Sequence, residues 1–307
     1  EGGKKSGKVY LAAIATDLEL TVITLDEAPA APCVKRGYEL FAVSADAPFS
    51  QLVFAGWRFA LAGILVLLAT GLKGHRIVPK RDEIKPILAI SLFQSMLQYV
   101  CYYIGLSGTT GTKGSVLSGT QTFFALLLAH CLLPNDKLNR RKTLGCICGF
   151  AGVLALGLGG LNGFNLTGDG LVLLSAVSAG AGALVSRIYT PGRDPMLLTG
   201  WQLLIGGCFL LGVGTAGGGA LGRVTLGGVL LLGYMIALSA AAFTIWTALL
   251  GKFPVGKVSL FGFLIPVFGT LFSALVLGEN IFTARNLAAL VLVSGGIAVA
   301  NSASTKK

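Results

Sequence analysis

The chain has 307 residues, of which 54% are hydrophobic and only 12% are charged, and its formal net charge is +11. A water-soluble domain must cover its surface with charge, so this composition excludes an ordinary soluble enzyme or binding module. It favours a polytopic membrane protein, because lipid-facing helices carry almost no charge and the 44 glycines allow close helix packing.

The first predicted element is an unusual one. Residues 9–25 are the candidate for a first membrane span, but Asp17 and Glu19 lie near its middle. Each costs about 3 kcal/mol if it is buried there as a charge. We therefore expect an atypical first helix, with irregular chain over residues 9–50 and poor packing over residues 17–32.

Nine clear apolar runs follow, each near the length of about 20 residues that a helix needs to cross a bilayer. They cover residues 51–70, 86–106, 113–133, 142–159, 168–189, 196–216, 226–250, 255–277 and 284–301. Their apolar residues are continuous, which excludes the alternating pattern of a membrane β-barrel. The predicted fold is all-α and integral to the membrane, with about ten transmembrane helices.

The chain repeats itself. The sequence GWRFALAG at residues 56–63 returns as GWQLLIGG at residues 200–207, an offset of 144 positions. The same offset relates further identical pairs, among them Lys113 with Lys257, Ser115 with Ser259, Arg141 with Arg285 and Gly152 with Gly296. A constant offset over this distance indicates a duplicated domain rather than a short repeat.

The duplication divides the chain into a first repeat at residues 1–158 and a second at residues 159–307. Each repeat contains five spans when the first, atypical helix is included. Because five is odd, the second repeat enters the membrane upside down relative to the first. Inverted repeats of this kind form a binding site near the bilayer midplane and alternate its access.

The basic residues predict the orientation. With ten crossings and both termini in the cytoplasm, eighteen of the 24 Lys and Arg residues fall on the inner side and five on the outer side. This agrees with the excess of Lys and Arg in cytoplasmic loops. The charge is spread over short loops, so it predicts contact with the lipid bilayer of a cell membrane and no nucleic-acid partner.

Three stretches resemble the EamA-type members of the drug/metabolite transporter superfamily. They are GWRFALAG, LLPNDKLNRRKTLGCICGFAGVLAL at residues 132–156, and VLGENIFTARNLAALVLVSGGIAVA at residues 276–300. The resemblance runs from about residue 34 to residue 301 and implies a transporter of small solutes. Residues 17–32 depart from the family pattern, and either a divergent first helix or a corrupted reading of the gene fits them.

The third helix carries polar residues on one face. Gln94, Gln98 and Tyr102, here called the polar stripe, are spaced four residues apart in an otherwise apolar span. Their repeat mates, here called the apolar wall, are Leu238, Ala242 and Trp246. The stripe predicts the wall of a solute cavity, and the alternative is interhelical hydrogen bonding that only fixes packing. A polar and an apolar side facing each other suit a small amphipathic solute.

A second pattern consists of small residues in the fourth helix. Ser115, Ser118 and Thr122 follow a helical spacing, and Ser259 is the repeat mate of Ser115. Small residues at this spacing favour close packing of helices, although the hydroxyl groups are also candidates for solute contact. The candidate substrate-binding residues are Gln94, Gln98, Tyr102, Ser115, Ser118, Thr122, Trp246 and Ser259.

Arg58 is the one basic residue well inside a clear span. An intramembrane charge needs a partner or water, or must extend to the interface. The family resemblance implies a structural role, because a basic residue here is usual in the family whatever the solute. The repeat mate, Gln202, is neutral.

Other chemistry is sparse, and no metal site, cofactor site or catalytic residue is predicted. The six cysteines form no Cys-x-x-Cys motif, His75 and His130 have no acidic neighbour in the sequence, and no Walker motif occurs. We therefore predict not an enzyme but a secondary transporter or exporter of small, amino-acid-like or amphipathic metabolites, acting by alternating access as a monomer or homodimer. The alternatives are a channel or a membrane scaffold without transport activity.

Overall fold

The structure is a computed structural model. It describes residues 30–44, 46–109, 114, 117–134, 136–157 and 165–261, with single positions between 288 and 299. The predicted first span at residues 9–25 lies outside the described residues. So do Ser115, most of the span at residues 255–277 and most of the span at residues 284–301.

The described part of the chain is helical and contains no strand. Its helices are α1 Ala30–Leu40, α2 Pro48–Leu72, α3 Arg81–Ser91, α4 Gln98–Ser107, α5 Gln121–Leu132, α6 Arg140–Gly157, α7 Asp169–Tyr189, α8 Pro195–Ala216, α9 Leu226–Lys252 and α10 Val255–Leu260. A π-helical turn, Leu92–Leu97, joins α3 to α4 without a break. The three together form the third predicted helix.

Five helical stretches are long and apolar enough to cross a membrane, judged by length and composition. They are Pro48–Leu72, Arg81–Ser107, Asp169–Tyr189, Pro195–Ala216 and Leu226–Lys252. Each lies within a few residues of a predicted apolar run. A shorter apolar helical stretch, Leu117–Leu132, falls in the predicted run at residues 113–133.

Local chemistry sets the helix starts. Pro48 and Pro195 begin α2 and α8, where a fixed φ suits the first turn and the missing N–H is no loss. The Asp194 carboxylate accepts a hydrogen bond from the Met196 amide at 2.9 Å and caps α8. Thr225 caps α9 in the same way, accepting from the Gly228 amide at 3.0 Å.

Helix α1 corrects one expectation. Irregular chain was predicted over residues 9–50, yet residues 30–40 are helical, because aromatic residues at the end of this stretch anchor it. The ring centres of Tyr38 and Phe41 each lie 5.5 Å from the ring centre of Phe54 on α2. At the offset of 144 positions, α1 corresponds to residues 174–184 of α7.

The two repeated motifs pack against each other where α2 crosses α8. A Cβ atom added to Gly56 would lie 2.8 Å from the backbone nitrogen of Leu211, and one added to Gly200 would lie 3.3 Å from the backbone nitrogen of Leu67. Exchanging each residue for its repeat mate converts the first contact into the second. The crossing is therefore locally two-fold, and only glycine permits this backbone separation.

The loop after α2 lies against the start of α8. The His75 ring is 2.7 Å from the Asp194 carboxylate, and the Trp201 indole N–H donates to the Ile77 carbonyl at 2.8 Å. Burial raises the pKa of Asp194, but hydrogen bonding to His75 and to the Met196 amide outweighs it and leaves the pKa below its ordinary value.

Candidate functional site

A cavity of about 350 Å³ lies among α2, the π turn, α4, α5, α7 and α9. Helix α1 contributes Val34 to its wall and α10 contributes Ser259. Both sequence repeats therefore supply lining residues. The volume falls in the range of pockets that hold small molecules, which is about 300–1,000 Å³.

All three residues of the polar stripe line the cavity. Gln94 is only 6% exposed, and its side-chain oxygen accepts a hydrogen bond from the Ser186 hydroxyl at 3.1 Å. No described residue hydrogen-bonds the side chain of Gln98, which is half-buried. The stripe thus combines one amide held by the protein with another that is available to a solute.

The π turn, which contains Gln94 of the polar stripe, packs between α7 and α8. The Ser178 hydroxyl of α7 donates to the Phe93 carbonyl of the turn at 2.8 Å. Gly182 lies directly against the backbone of Gln94, and Gly206 lies against Ser95. These contacts lock the turn and fix the direction of the amides that follow it.

The apolar wall lies on α9, and all three of its residues line the cavity, as does the neighbouring Phe243. Ala242 is nearly fully buried, whereas Trp246 is partly exposed. The Trp246 ring provides a flat apolar surface within the cavity. The cavity lining therefore combines amides of the polar stripe with mostly apolar residues of α9.

The hydroxyl residues of α5 and α10 combine two roles. Thr122 donates a hydrogen bond to the Ser259 backbone carbonyl at 3.1 Å, and both residues line the cavity. Ser118 lines it too and donates to the Gly114 carbonyl at 2.7 Å. The Ser259 hydroxyl is buried without a hydrogen-bond partner among the described residues. These contacts explain packing and leave the Ser259 hydroxyl group on the cavity wall.

Arg58 also lies on the cavity wall. The side chain is 8% exposed, so it does not extend to an aqueous interface. Its guanidinium carbon lies 4.3 Å from the centre of the Phe59 ring, and its Nε atom has no hydrogen-bond partner among the described residues. Its repeat mate Gln202 is fully buried and donates to the Ser95 hydroxyl at 3.3 Å.

Seven of the eight candidate residues meet at this one cavity, and the eighth, Ser115, lies outside the described residues. The seven are Gln94, Gln98, Tyr102, Ser118, Thr122, Trp246 and Ser259. Their binding of solute remains a prediction. No group of three or more His, Cys, Asp or Glu suited to a metal occurs among the residues that the structure describes.

The chain matches the EamA-like transporter family twice, over residues 40–158 and over residues 166–302. It belongs to this family. The two matches follow the two sequence repeats, so this EamA-like protein carries one family unit in each half.

Curated relatives of this EamA-like protein include plant and bacterial proteins. A chloroplast WAT1-related protein of Arabidopsis thaliana is 28% identical over 77% of this chain, a match that covers 60% of the plant protein. The transporter YoaV of Bacillus subtilis is 25% identical over 80% of this chain and 85% of its own. A Salmonella typhimurium protein named "Probable amino-acid metabolite efflux pump" is 26% identical over 80% of this chain and 84% of its own.

A protein of known crystal structure has the same fold. It aligns with a TM-score of 0.76 and covers 93% of this chain and 97% of its own, at 17% sequence identity. This likeness concerns the fold alone.

The sequence analysis missed several residues of the cavity in this EamA-like chain. Helix α7 contributes a row of small residues, Ser175, Ala176, Ala179, Gly180 and Ala183. Their spacing of three to four residues places them on one face of the helix and could have indicated a cavity wall. Small residues at this spacing are equally typical of helix packing, however. Gln121 was a clearer signal, since it is an amide within an apolar run and adjoins the candidate Thr122.

Proposed function

We propose that the protein is a secondary transporter that moves small metabolites across the membrane by alternating access. One observation carries the proposal: residues of both sequence repeats line one cavity, which combines amides of the polar stripe with mostly apolar residues of α9. Membership in the EamA-like transporter family supports it. A cavity of this kind can orient an amphipathic solute through its polar end.

The proposed architecture has about ten spans in two inverted five-helix repeats, residues 1–158 and 159–307. The reciprocal glycine contacts between α2 and α8 support it, because an inverted pair is related by a two-fold axis in the membrane plane. Helix α1 takes the place of the first helix of the first repeat. It packs on α9. Its counterpart in the second repeat, α7, packs on the π turn and α4, which together correspond to part of α9.

The proposed solutes are amino-acid-like or amphipathic metabolites, and the proposed direction is export. Amides suit a polar head group, and the Trp246 ring suits an apolar side chain. The name of the Salmonella relative is consistent with solutes of this class. The protein would act in a cell membrane with both termini in the cytoplasm, as a monomer or homodimer, without nucleic acid, metal or other cofactor.

The test is a screen of the purified protein against a library of small metabolites, with the thermal unfolding temperature as the readout. We expect a limited set of amphipathic solutes to raise this temperature in a saturable manner. Each such solute is then loaded into proteoliposomes to measure counterflow of the labelled compound. Saturable counterflow supports a carrier, unsaturated flux indicates a channel, and absence of both binding and flux argues for a scaffold.

A further inference from the structure

Arg58 is the only charged side chain among the described residues that line the cavity. It is 8% exposed, and no described carboxylate pairs with it. Arginine keeps its positive charge even when it is buried. A buried positive charge is unfavourable unless water or an opposite charge reaches it, so Arg58 gives the described lining of the cavity a preference for negative charge.

The surroundings of Arg58 cover its face and leave its Nε atom without a hydrogen-bond partner among the described residues. The guanidinium lies over the Phe59 ring, whose centre is 4.6 Å from that of Tyr99 and 5.7 Å from that of Phe243. Tyr99 and Phe243 line the cavity as well. Aromatic contacts hold the guanidinium in place, while its Nε atom receives no hydrogen-bond acceptor from the described protein.

The second repeat provides an internal comparison. Gln202 occupies the equivalent position, is fully buried, and donates a hydrogen bond to Ser95 instead of lining the cavity. Packing at this position is thus achieved with a neutral side chain in one repeat. Packing alone therefore does not account for the positive charge in the other repeat, and the structural role that the family resemblance implies is compatible with a contact to the solute.

We propose that Arg58 binds the carboxylate of the transported solute, a specificity that rests on the proposed transport function. A guanidinium matches a carboxylate through two parallel hydrogen bonds. The single positive charge balances a carboxylate but not a phosphate monoester, which carries about −1.5 to −2. Because the apolar wall lines the same cavity, the preferred solute is a small monocarboxylate or zwitterion with an apolar body, and organic cations are rejected.

Three probes with the same branched hydrocarbon body test the charge preference. They are 4-methylpentanoate, which is anionic; 4-methylpentanamide, which is neutral; and 3-methylbutylamine, which is cationic. Binding to the unchanged protein is measured as a concentration-dependent rise in its unfolding temperature. We expect the carboxylate to bind at least about tenfold more tightly than the amide and the amine not to bind. This comparison needs no variant.

The variant Arg58→Gln introduces the side chain that the second repeat carries at the same position. It should weaken binding of 4-methylpentanoate by about tenfold or more and change binding of 4-methylpentanamide less than about twofold. Arg187→Gln is the matched control. The Arg187 guanidinium donates to the carbonyls of Leu250 and Gly251 and does not line the cavity, so this variant should keep the preference for the carboxylate.

The outcomes separate this inference from the proposed function. Equal binding of the amide and the carboxylate, or unchanged carboxylate binding in Arg58→Gln, overturns the role of Arg58 and leaves the transporter proposal intact. Failure of all three probes to bind the unchanged protein overturns both the role of Arg58 and the proposed solute class.

Discussion

Two glutamines of this protein, one half-buried and one fully buried, lie in apolar helices but have different surroundings. Gln98 lines the cavity, and no described residue hydrogen-bonds its side chain. Gln202 does not line the cavity, and it donates to Ser95. The same residue type thus faces a solute site in one helix and a neighbouring helix in the other, and a matched pair of substitutions distinguishes these roles.

Replacing Gln98 with leucine should weaken binding of the solutes found in the metabolite screen by about tenfold or more. The change removes an amide that orients the solute and leaves the solute's polar group without a partner. The unfolding temperature without solute should change little, because leucine suits an apolar helix. Binding and melting are measured on the same purified sample.

Gln202→Leu is the control for this experiment and should retain the response to solute. If Gln98→Leu instead lowers the unfolding temperature and keeps the solute response, the polar stripe serves packing and the cavity assignment is wrong. Interhelical hydrogen bonds in membranes contribute about 0.6 kcal/mol each, so such a loss of stability would be modest.

Asp194 leads to a prediction about pH. The pKa of Asp194 in the folded protein lies below the ordinary pKa of an aspartate, which is about 3.9. The charge of Asp194 therefore stabilises the fold fully at pH values above the ordinary pKa. This stabilisation is lost as the pH falls through the lowered pKa. Asp194→Asn keeps the helix cap but loses the charge near His75. The variant should be less stable than the unchanged protein by between about 0.2 and 1 kcal/mol at pH 7. The difference should shrink below about pH 4.

Melting curves of the two proteins at several pH values check this. Asp46→Asn is the matched control, since Asp46 is exposed and its side chain makes no hydrogen bond or ion pair with the described residues. A difference between Asp194→Asn and the unchanged protein that stays constant from pH 7 to pH 3 would contradict the role of the Asp194 charge.

At the scale of elements, the crossing of α2 and α8 brings the backbones of the two sequence repeats into close contact. Buried leucines and aromatics flank it, including Leu52, Phe59, Leu203 and Leu210, which are all 0% exposed. The glycines between them bring backbone against backbone. The crossing is therefore stabilised by shape and dispersion and depends on the absence of side chains at four positions.

Gly207→Leu should separate α2 from α8 and destabilise the protein by about 1–3 kcal/mol or more, because a Cβ atom there would overlap the backbone of Ala60. Gly212→Leu is a matched control on the same helix, with no atom within 4 Å of its added Cβ. Thermal unfolding of both purified variants is the measurement. Equal stability of the two would show that the crossing tolerates a side chain.

The long helices could be predicted from sequence because apolar length alone specifies a membrane span. Pro48 and Pro195 also mark the starts of α2 and α8 within three residues of the predicted limits. The polar stripe was identified because amides are conspicuous in a hydrocarbon setting. Its position on the cavity wall could then be anticipated from the repeat comparison, since its mates are apolar.

Other features could not be predicted from the sequence. Helix α1 depends on the contact of Tyr38 and Phe41 with Phe54, which is a tertiary interaction that no local pattern reports. The burial of Arg58 depends on the Phe59 ring and on the position of α9. The sequence alone therefore did not decide between a position at the membrane interface and a position on the cavity wall. The π turn has no sequence signature at all, because it depends on Gly182 and Ser178 of another helix.

At the scale of the whole molecule, the distribution of basic residues predicts which loops face the cytoplasm. The loop between α2 and α3 contains Lys73, Arg76 and Lys80, whereas residues 165–168 before α7 contain no charge. Val78 and Leu166 are 75% and 76% exposed in these two segments. They offer equivalent positions for a labelling experiment.

Single cysteines at the two positions, Val78→Cys and Leu166→Cys, are introduced into a variant that lacks the six native cysteines. In intact cells, an impermeant thiol reagent should label the cysteine at position 166 and not the one at position 78. Permeabilised cells provide the control, in which both should react. The reverse pattern in intact cells would invert the proposed orientation.

The π turn has a consequence for the length of the chain. Its wider turn accommodates one residue more than an α-helical turn would, and each residue of an α-helix advances the side chains by about 100°. Deleting a single residue such as Leu97 would allow α3 and α4 to continue as a plain α-helix, with the side chains of α4 in nearly their present directions. Winding the same residues as an α-helix without a deletion would instead turn α4 by about 100°. The phase between Ser91, whose hydroxyl donates to the Gln202 carbonyl, and Tyr102 on the cavity wall thus depends on this turn remaining π-helical.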